Sequence, residues 1–131
     1  MGRRVAEDDS LKVILTGAVD IKAGDWIVAN GVLGMALESI KLEASESGAI
    51  AIESDEGIYE TDQIGDEDFE TIGSKIYWNN ENKIFTLLDK IDKEDPDPDV
   101  PNTLVGVLTD VIKDEEEVIK AIQFYYFPTI V

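Results

Sequence analysis

Cysteine and histidine are both missing from this chain of 131 residues, and the two absences together remove most of the chemistry open to a small protein. Without cysteine there are no disulfides, thiolate nucleophiles or thiolate metal ligands, and the fold is indifferent to redox compartment. Without histidine the commonest general base and metal ligand are gone, so catalysis would fall to carboxylates, Lys, Tyr, Ser or Thr. Basic residues are scarce as well: 11 Lys and Arg stand against 29 Asp and Glu, a formal charge of −18. Such a chain is repelled by phosphate backbones and anionic lipid, so neither nucleic acid nor membrane is an expected partner. No stretch approaches the roughly 20 apolar residues of a spanning helix. Met1-Gly2-Arg3-Arg4 carries two positive charges, but Glu7-Asp8-Asp9 follows in place of an apolar run. Neither a signal peptide nor an anchor is expected, and the chain reads as soluble.

What is present is 44% hydrophobic and sized for one domain, able to bury roughly 68% of its unfolded surface without a covalent staple. It also repeats itself. Gly24-Asp25-Trp26-Ile27-Val28 is echoed by Gly73-Ser74-Lys75-Ile76-Tyr77-Trp78, and Val32-Leu33-Gly34-Met35-Ala36-Leu37 by Leu104-Val105-Gly106-Val107-Leu108-Thr109-Asp110. Gly34 to Gly106 and Ala49-Ile50-Ala51-Ile52 to Ala121-Ile122-Gln123-Phe124 share one offset of 72. Two copies of a strand-turn-strand unit predict an all-β domain built by duplication, and two are too few for a solenoid.

Residues 1–10 are polar and acidic apart from Arg3 and Arg4, and read as a flexible arm ahead of a β domain over 11–131. Leu11, Val13 and Leu15 alternate with Lys12, Ile14 and Thr16 as in a strand. Gly17-Ala18-Val19-Asp20 is expected to turn the chain. Asn30-Gly31 is a strong hairpin signal between strands over 26–29 and 32–38, because both residues tolerate positive φ. Residues 36–43 fit a short helix as readily as a strand; strand then loop is favoured, because Ser45-Glu46-Ser47-Gly48 is turn-like. Strands over 49–53 and 57–61 are expected to pair across Ser54-Asp55-Glu56, and strands over 74–78 and 83–88 around Asn79-Asn80-Glu81-Asn82. Asp89 to Asn102 holds three of the four prolines and reads as an exposed excursion inserted into the second copy, dispensable to the core. Strands over 103–111 and 118–127 close the domain. Lys113 to Ala121 also fits a helix, but the aromatics after it favour a strand. Val118, Ile122, Phe124 and Tyr126 fall on one face of that strand, and Ile119, Ala121, Tyr125 and Phe127 on the other. Both faces are apolar, so one enters the core and the other needs cover from the same barrel or a neighbouring subunit.

The order of these motifs resembles the capsid cement, or head decoration, proteins of tailed bacteriophages. The residues that carry the likeness are Asp9-Ser10-Leu11-Lys12-Val13, Gly17-Ala18, Lys22-Ala23-Gly24-Asp25-Trp26-Ile27-Val28, Gly31-Val32-Leu33-Gly34-Met35-Ala36, Gly57-Ile58-Tyr59-Glu60, Gly73-Ser74-Lys75-Ile76-Tyr77-Trp78 and Thr103-Leu104-Val105-Gly106-Val107. It runs from about Asp9 to Phe127. The resemblance implies a small β-barrel or β-tulip-like domain that forms a homotrimer, is made in the host cytoplasm and ends on the virion. Its implied partner is the major capsid protein of an HK97-like shell, whose neighbouring copies it bridges from outside. Capsid-contact candidates are Arg3, Arg4 and Leu11, and oligomer-interface candidates are Trp26, Tyr77, Trp78, Tyr125 and Phe127. The chain departs from the family pattern in the Pro-rich stretch Asp95 to Pro101, the acidic stretch Asp62 to Glu70, and Trp26, where a small residue or Pro is usual.

No catalytic residue, cofactor or metal is assigned. Asp95-Pro96-Asp97-Pro98-Asp99 begins as a calcium loop does, yet Val100 and Gly106 stand where an EF-hand needs Gly and Glu, so the reading is a solvated acidic loop. Asp66-Glu67-Asp68 is read the same way. An acid-base carboxylate pair has no supporting nucleophile elbow, phosphate loop or metal motif. Trp26, Tyr77 and Trp78 open a second reading, a glycan-binding β module of a virion or secreted protein, against packing in a core or interface.

Overall fold

The computed structural model describes residues 10–128, and all of their regular elements are strands. The all-β expectation holds. The chain divides between Asp55 and Glu56 into two compact units.

The first unit holds β1 (Ser10–Thr16), β2 (Val19–Ile21), β3 (Trp26–Ala29), β4 (Val32–Ala36), β5 (Ile40–Leu42) and β6 (Ser47–Glu53). Four of these form an antiparallel sheet in the order β1-β6-β4-β3, while β2 and β5 form a small pair. Asn30 and Gly31 join β3 to β4 with φ of 53° and 79°, the double positive φ that a two-residue hairpin with native twist requires. Val13, Ala29, Ala36, Ile50 and Ile52 form a buried cluster flanked by Leu15, Ile21, Ile27, Val32 and Ile40. The expected turn at Gly17 does not reverse the chain: Gly17, at φ 95°, donates to the Glu46 carbonyl at 2.9 Å, and β2 runs on from β1 in the same sense, paired with β5 as β1 is with β6. The ambiguous stretch contains β5, a three-residue strand paired with β2.

The second unit holds β7 (Gly57–Thr61), β8 (Lys75–Asn79), β9 (Ile84–Thr86), β10 (Lys90–Ile91), β11 (Val100–Pro101), β12 (Thr103–Lys113) and β13 (Ile119–Tyr126). Its main sheet runs β7-β13-β12-β8-β9, and β10 pairs with β11 inside the Pro-rich excursion. Phe69, Ile76, Trp78, Phe85, Val105, Leu108, Ile122, Phe124 and Tyr126 are fully buried. Their rings interlock, with centroids 5.0 Å apart for Trp78 and Phe85 and 4.7 Å for Phe85 and Phe124, within the range of favourable aromatic pairs. The Asn79 side chain caps the β8–β9 turn by accepting from the backbone N–H groups of Glu81 and Asn82 at 3.0 and 2.9 Å. Residues 114–118 form a turn in place of the alternative helix.

One pairing differs from expectation. β6 and β7 do not form a hairpin: β6 pairs with β1 and β4, and β7 pairs with β13. The reason is duplication, because Ser54-Asp55-Glu56 links two copies and each strand bonds within its own. Ser54 fastens the end of β6 to the first unit by donating to the Leu33 carbonyl at 2.8 Å.

The copies match position by position. In the first, Trp26 faces Met35, Ile27 faces Gly34, Met35 faces Glu53 and Ala36 faces Ile52. In the second, Lys75 faces Val107, Ile76 faces Gly106, Val107 faces Tyr125 and Leu108 faces Phe124. Even the link bonds recur: Gly24 N–H to Ala36 O and Gly73 N–H to Leu108 O, both 2.8 Å, then Asp25 N–H to Lys22 O and Ser74 N–H to Thr71 O. Trp26 thus corresponds to Lys75 and Met35 to Val107, and the stretch from Lys75 to Val107 is much the longer of the two. The added length falls between β8 and β12 and contains β9, β10 and β11.

Candidate functional site

The candidate site is a surface of the sheets. Strand alternation decides what each side chain shows to solvent, because successive residues point to opposite faces. On β13 the buried set is Ile122, Phe124 and Tyr126, which leaves Tyr125 on the other face. Val118, placed on the same face as these three from sequence, is 47% exposed because it precedes β13 and lies in the turn.

The predicted residues separate by burial. Trp26 and Trp78 expose 1% and 0% of their surface, so both indoles belong to the interior of the chain and have no area to offer a neighbour or a sugar ring. Tyr77 is half-buried on β8, facing Leu104 on one side and Thr86 on the other. Tyr125 is also half-buried, and its ring meets that of Phe127 at 5.5 Å. Leu11 is exposed on β1, opposite Ile52. Arg3 and Arg4 lie outside the described residues.

Across the outward face of the main sheet of the second unit, one row runs Ile58–Tyr125–Val107–Lys75 over β7, β13, β12 and β8. Leu104 and Tyr77 pair alongside it on β12 and β8. Ile58 is 63% exposed and Leu104 44%. Neither was singled out as a site residue from sequence. The β alternation of Gly57-Ile58-Tyr59-Glu60 was visible, but which alternate faces outward follows from the register with β13, and that is a long-range fact. The Tyr125 hydroxyl donates to the Glu56 carboxylate, and this bond first, then desolvation and the Glu56 charge, raise the phenol pKa.

The acidic loops are occupied with local work. Glu67 accepts from the Thr86 hydroxyl at 2.6 Å and from the Leu87 N–H at 2.7 Å, which ties its loop to the end of β9. Asp99 accepts from the Lys93 N–H at 3.0 Å and pairs with Lys90 at 3.0 Å, and these contacts hold its pKa below the ordinary carboxylate range. Among the described residues no group of three or more acids is placed to hold a metal ion.

Comparison with curated proteins and with solved structures gave no match. A family model described as phage cement protein matches residues 5–122. That span takes in the first copy, the excursion between β8 and β12, all of β12 and the first half of β13. A duplicated all-β chain with its apolar residues divided between a core and an outward row, matched over this length, belongs to the phage cement protein family and has the general role of a structural component of the phage capsid.

Proposed function

We propose that this chain is a head decoration subunit that binds the outer surface of the phage shell and bridges neighbouring major capsid proteins of an HK97-like lattice. The family match carries the reading. The burial pattern supports it: the chain keeps apolar side chains such as Ile58 and Leu104 on its surface, as a protein with macromolecular contacts does. The working form is a homotrimer, whose sites assist one another. Once one is bound, the others act at an effective concentration of roughly millimolar order, so weak individual contacts persist. A clamp placed across subunit boundaries resists the pressure of packaged DNA, because separating capsomers then breaks its contacts as well as theirs.

Charge sets the terms of capture. Three chains of −18 carry 3 × −18 = −54 formal charges, and at physiological salt their repulsion is screened beyond about 8 Å. A receiving surface of largely basic character suits the acids of such a trimer, while Arg3 and Arg4, candidate contacts together with Leu11, seek acidic groups on the shell. Salt therefore weakens binding.

The test uses heads that lack the protein and are refilled with it. Decorated heads are predicted to retain DNA to a higher temperature than bare heads, with capture weaker at about 500 mM salt than at about 50 mM. Capture without any gain in thermal resistance would contradict bridging. Capture equal at the two salt concentrations would contradict the electrostatic part.

A further inference from the structure

The stretch that only the second copy carries encloses a cleft. β3 returns directly as β4, whereas β8 reaches β12 by way of β9, β10 and β11. Between the β8–β9 hairpin, β10 and the loop at Gly65 to Glu67 lies a cavity of about 510 Å³, within the range of small-molecule sites. Its walls are tied in place. Glu67 holds its loop to the end of β9 through Thr86 and Leu87. The Asn102 N–H donates to the Asp89 carbonyl at 2.9 Å, and the Asn102 side-chain amide donates to the Leu88 carbonyl at 3.0 Å. A cleft fixed by such bonds is formed before a ligand arrives, which lowers the ordering cost of binding.

The lining keeps hydrogen-bonding groups in reserve. Asn79 is only 6% exposed, and its side-chain oxygen accepts from the N–H groups of Glu81 and Asn82, which fixes the end of the amide that is oxygen. The Asn79 amide nitrogen has no acceptor among the described residues, so a buried side chain on the lining holds two unused donors. Asn82 adds an exposed amide, and Asp66 and Asp89 add exposed carboxylates. Ile84, Leu88 and Ile91 supply apolar surface, with Leu88 59% exposed.

From this we infer that the cleft is a binding site for a neutral saccharide. An anionic ligand is opposed by the carboxylates of the lining, and Lys90 beside them is already paired with Asp99 at 3.0 Å. A polyamine carries donors only and sets its N–H groups against those of Asn79. A hydroxyl both donates and accepts, so neighbouring hydroxyls of a sugar accept from the asparagine amides and donate to the carboxylates. The C–H face of the ring then covers the aliphatic floor. Among the described residues that line the cleft none is aromatic, so no stacking adds to these bonds and the affinity expected is modest, with Kd of about 1–10 mM. The inference goes beyond capsid decoration and does not depend on it.

Amide chemical shifts of the isotope-labelled full chain test it, with glucose, galactose, mannose and N-acetylglucosamine titrated to about 100 mM, well above the Kd expected. Glucuronate and spermidine serve as the charged probes. Saturable shifts at Asn79, Asn82, Leu88 and Asp89 with at least one neutral sugar are the result expected, with both charged probes bound there more weakly. Leu88→Asp alters an exposed position, and Asn79→Asp keeps the capping oxygen while removing the donors. Each is expected to weaken sugar binding at least about 10-fold, with Ile14→Asp, exposed on β1, as the unchanged control. Leu88→Asp carries the comparison alone if Asn79→Asp fails to fold. Absence of shifts at these amides with all four sugars would overturn the assignment. So would glucuronate or spermidine bound in the cleft more tightly than every neutral sugar, or folded Leu88 and Asn79 variants that bind as the unaltered chain does.

Discussion

Gly34 and Gly106 show at the scale of single residues why the repeat kept its glycines. A Cβ on Gly34 would sit 2.9 Å from Ile52 Cδ1 and 3.0 Å from the Glu53 carbonyl oxygen. At Gly106 it would run into the Tyr125 carbonyl oxygen and come within 3.2 Å of the Phe124 ring. Ile52 and Glu53 are the counterparts of Phe124 and Tyr125, so equivalent positions obstruct both sites, and a backbone oxygen held in a ladder cannot step aside. Gly106→Ala is therefore expected to destabilise by about 1–3 kcal/mol, in the manner of an overpacked core. Gly34→Ala should cost less, since part of its obstruction is the flexible end of Ile52. Gly57, whose nearest would-be neighbour is 4.0 Å away, is the comparison, with a change within about 0.5 kcal/mol expected on Gly57→Ala. Urea unfolding of the three variants checks the order, and a Gly106→Ala as stable as Gly57→Ala would contradict it.

At the scale of elements, local signals were legible and long-range ones were not. Asn30-Gly31 and the Asn79 to Asn82 turn announce their hairpins because turn chemistry is written in adjacent residues. Both tryptophans could be placed in strands, but not inside or outside: Trp26 and Trp78 have sequence neighbours that fit either face, and their burial follows from packing with residues far along the chain. The expected pairing of β6 with β7 failed for a related reason, since a three-residue link between repeats looks the same as a hairpin loop until the partners β1 and β13 are in place. The turn between β12 and β13 shows how local acids are used. Asp114 accepts from the N–H groups of Glu116 and Val118 at 2.8 and 3.0 Å and lies 3.5 Å from Lys120. The Val118 bond is the largest influence, and together with the Glu116 bond and the Lys120 charge it outweighs desolvation, so the pKa lies below the ordinary value. A carboxylate whose pKa is lowered by folding stabilises the fold above its unfolded pKa, and that contribution is lost as pH falls through the folded value. Asp114→Ala should accordingly lower the melting temperature at neutral pH, and the gap between variant and parent should close on acidification. A gap that widens with acid would reverse the assignment.

Over the whole molecule, composition and fold answer different questions. The charge of −18 shapes what the surface can bind, while the duplicated sheets explain how a chain without disulfides holds its surfaces in place. The excursion between β8 and β12 belongs to one copy only, so the second copy has been elaborated there where the first has not. Specialisation of one repeat is what a subunit needs if it is to meet both its sisters and a shell. Co-sedimentation of the purified chain with heads that lack it tests that account most directly. Saturable pelleting with the shells, in a fixed ratio to the major capsid protein, is the result predicted. A chain that stays in the supernatant at every shell concentration, while remaining folded, would contradict it.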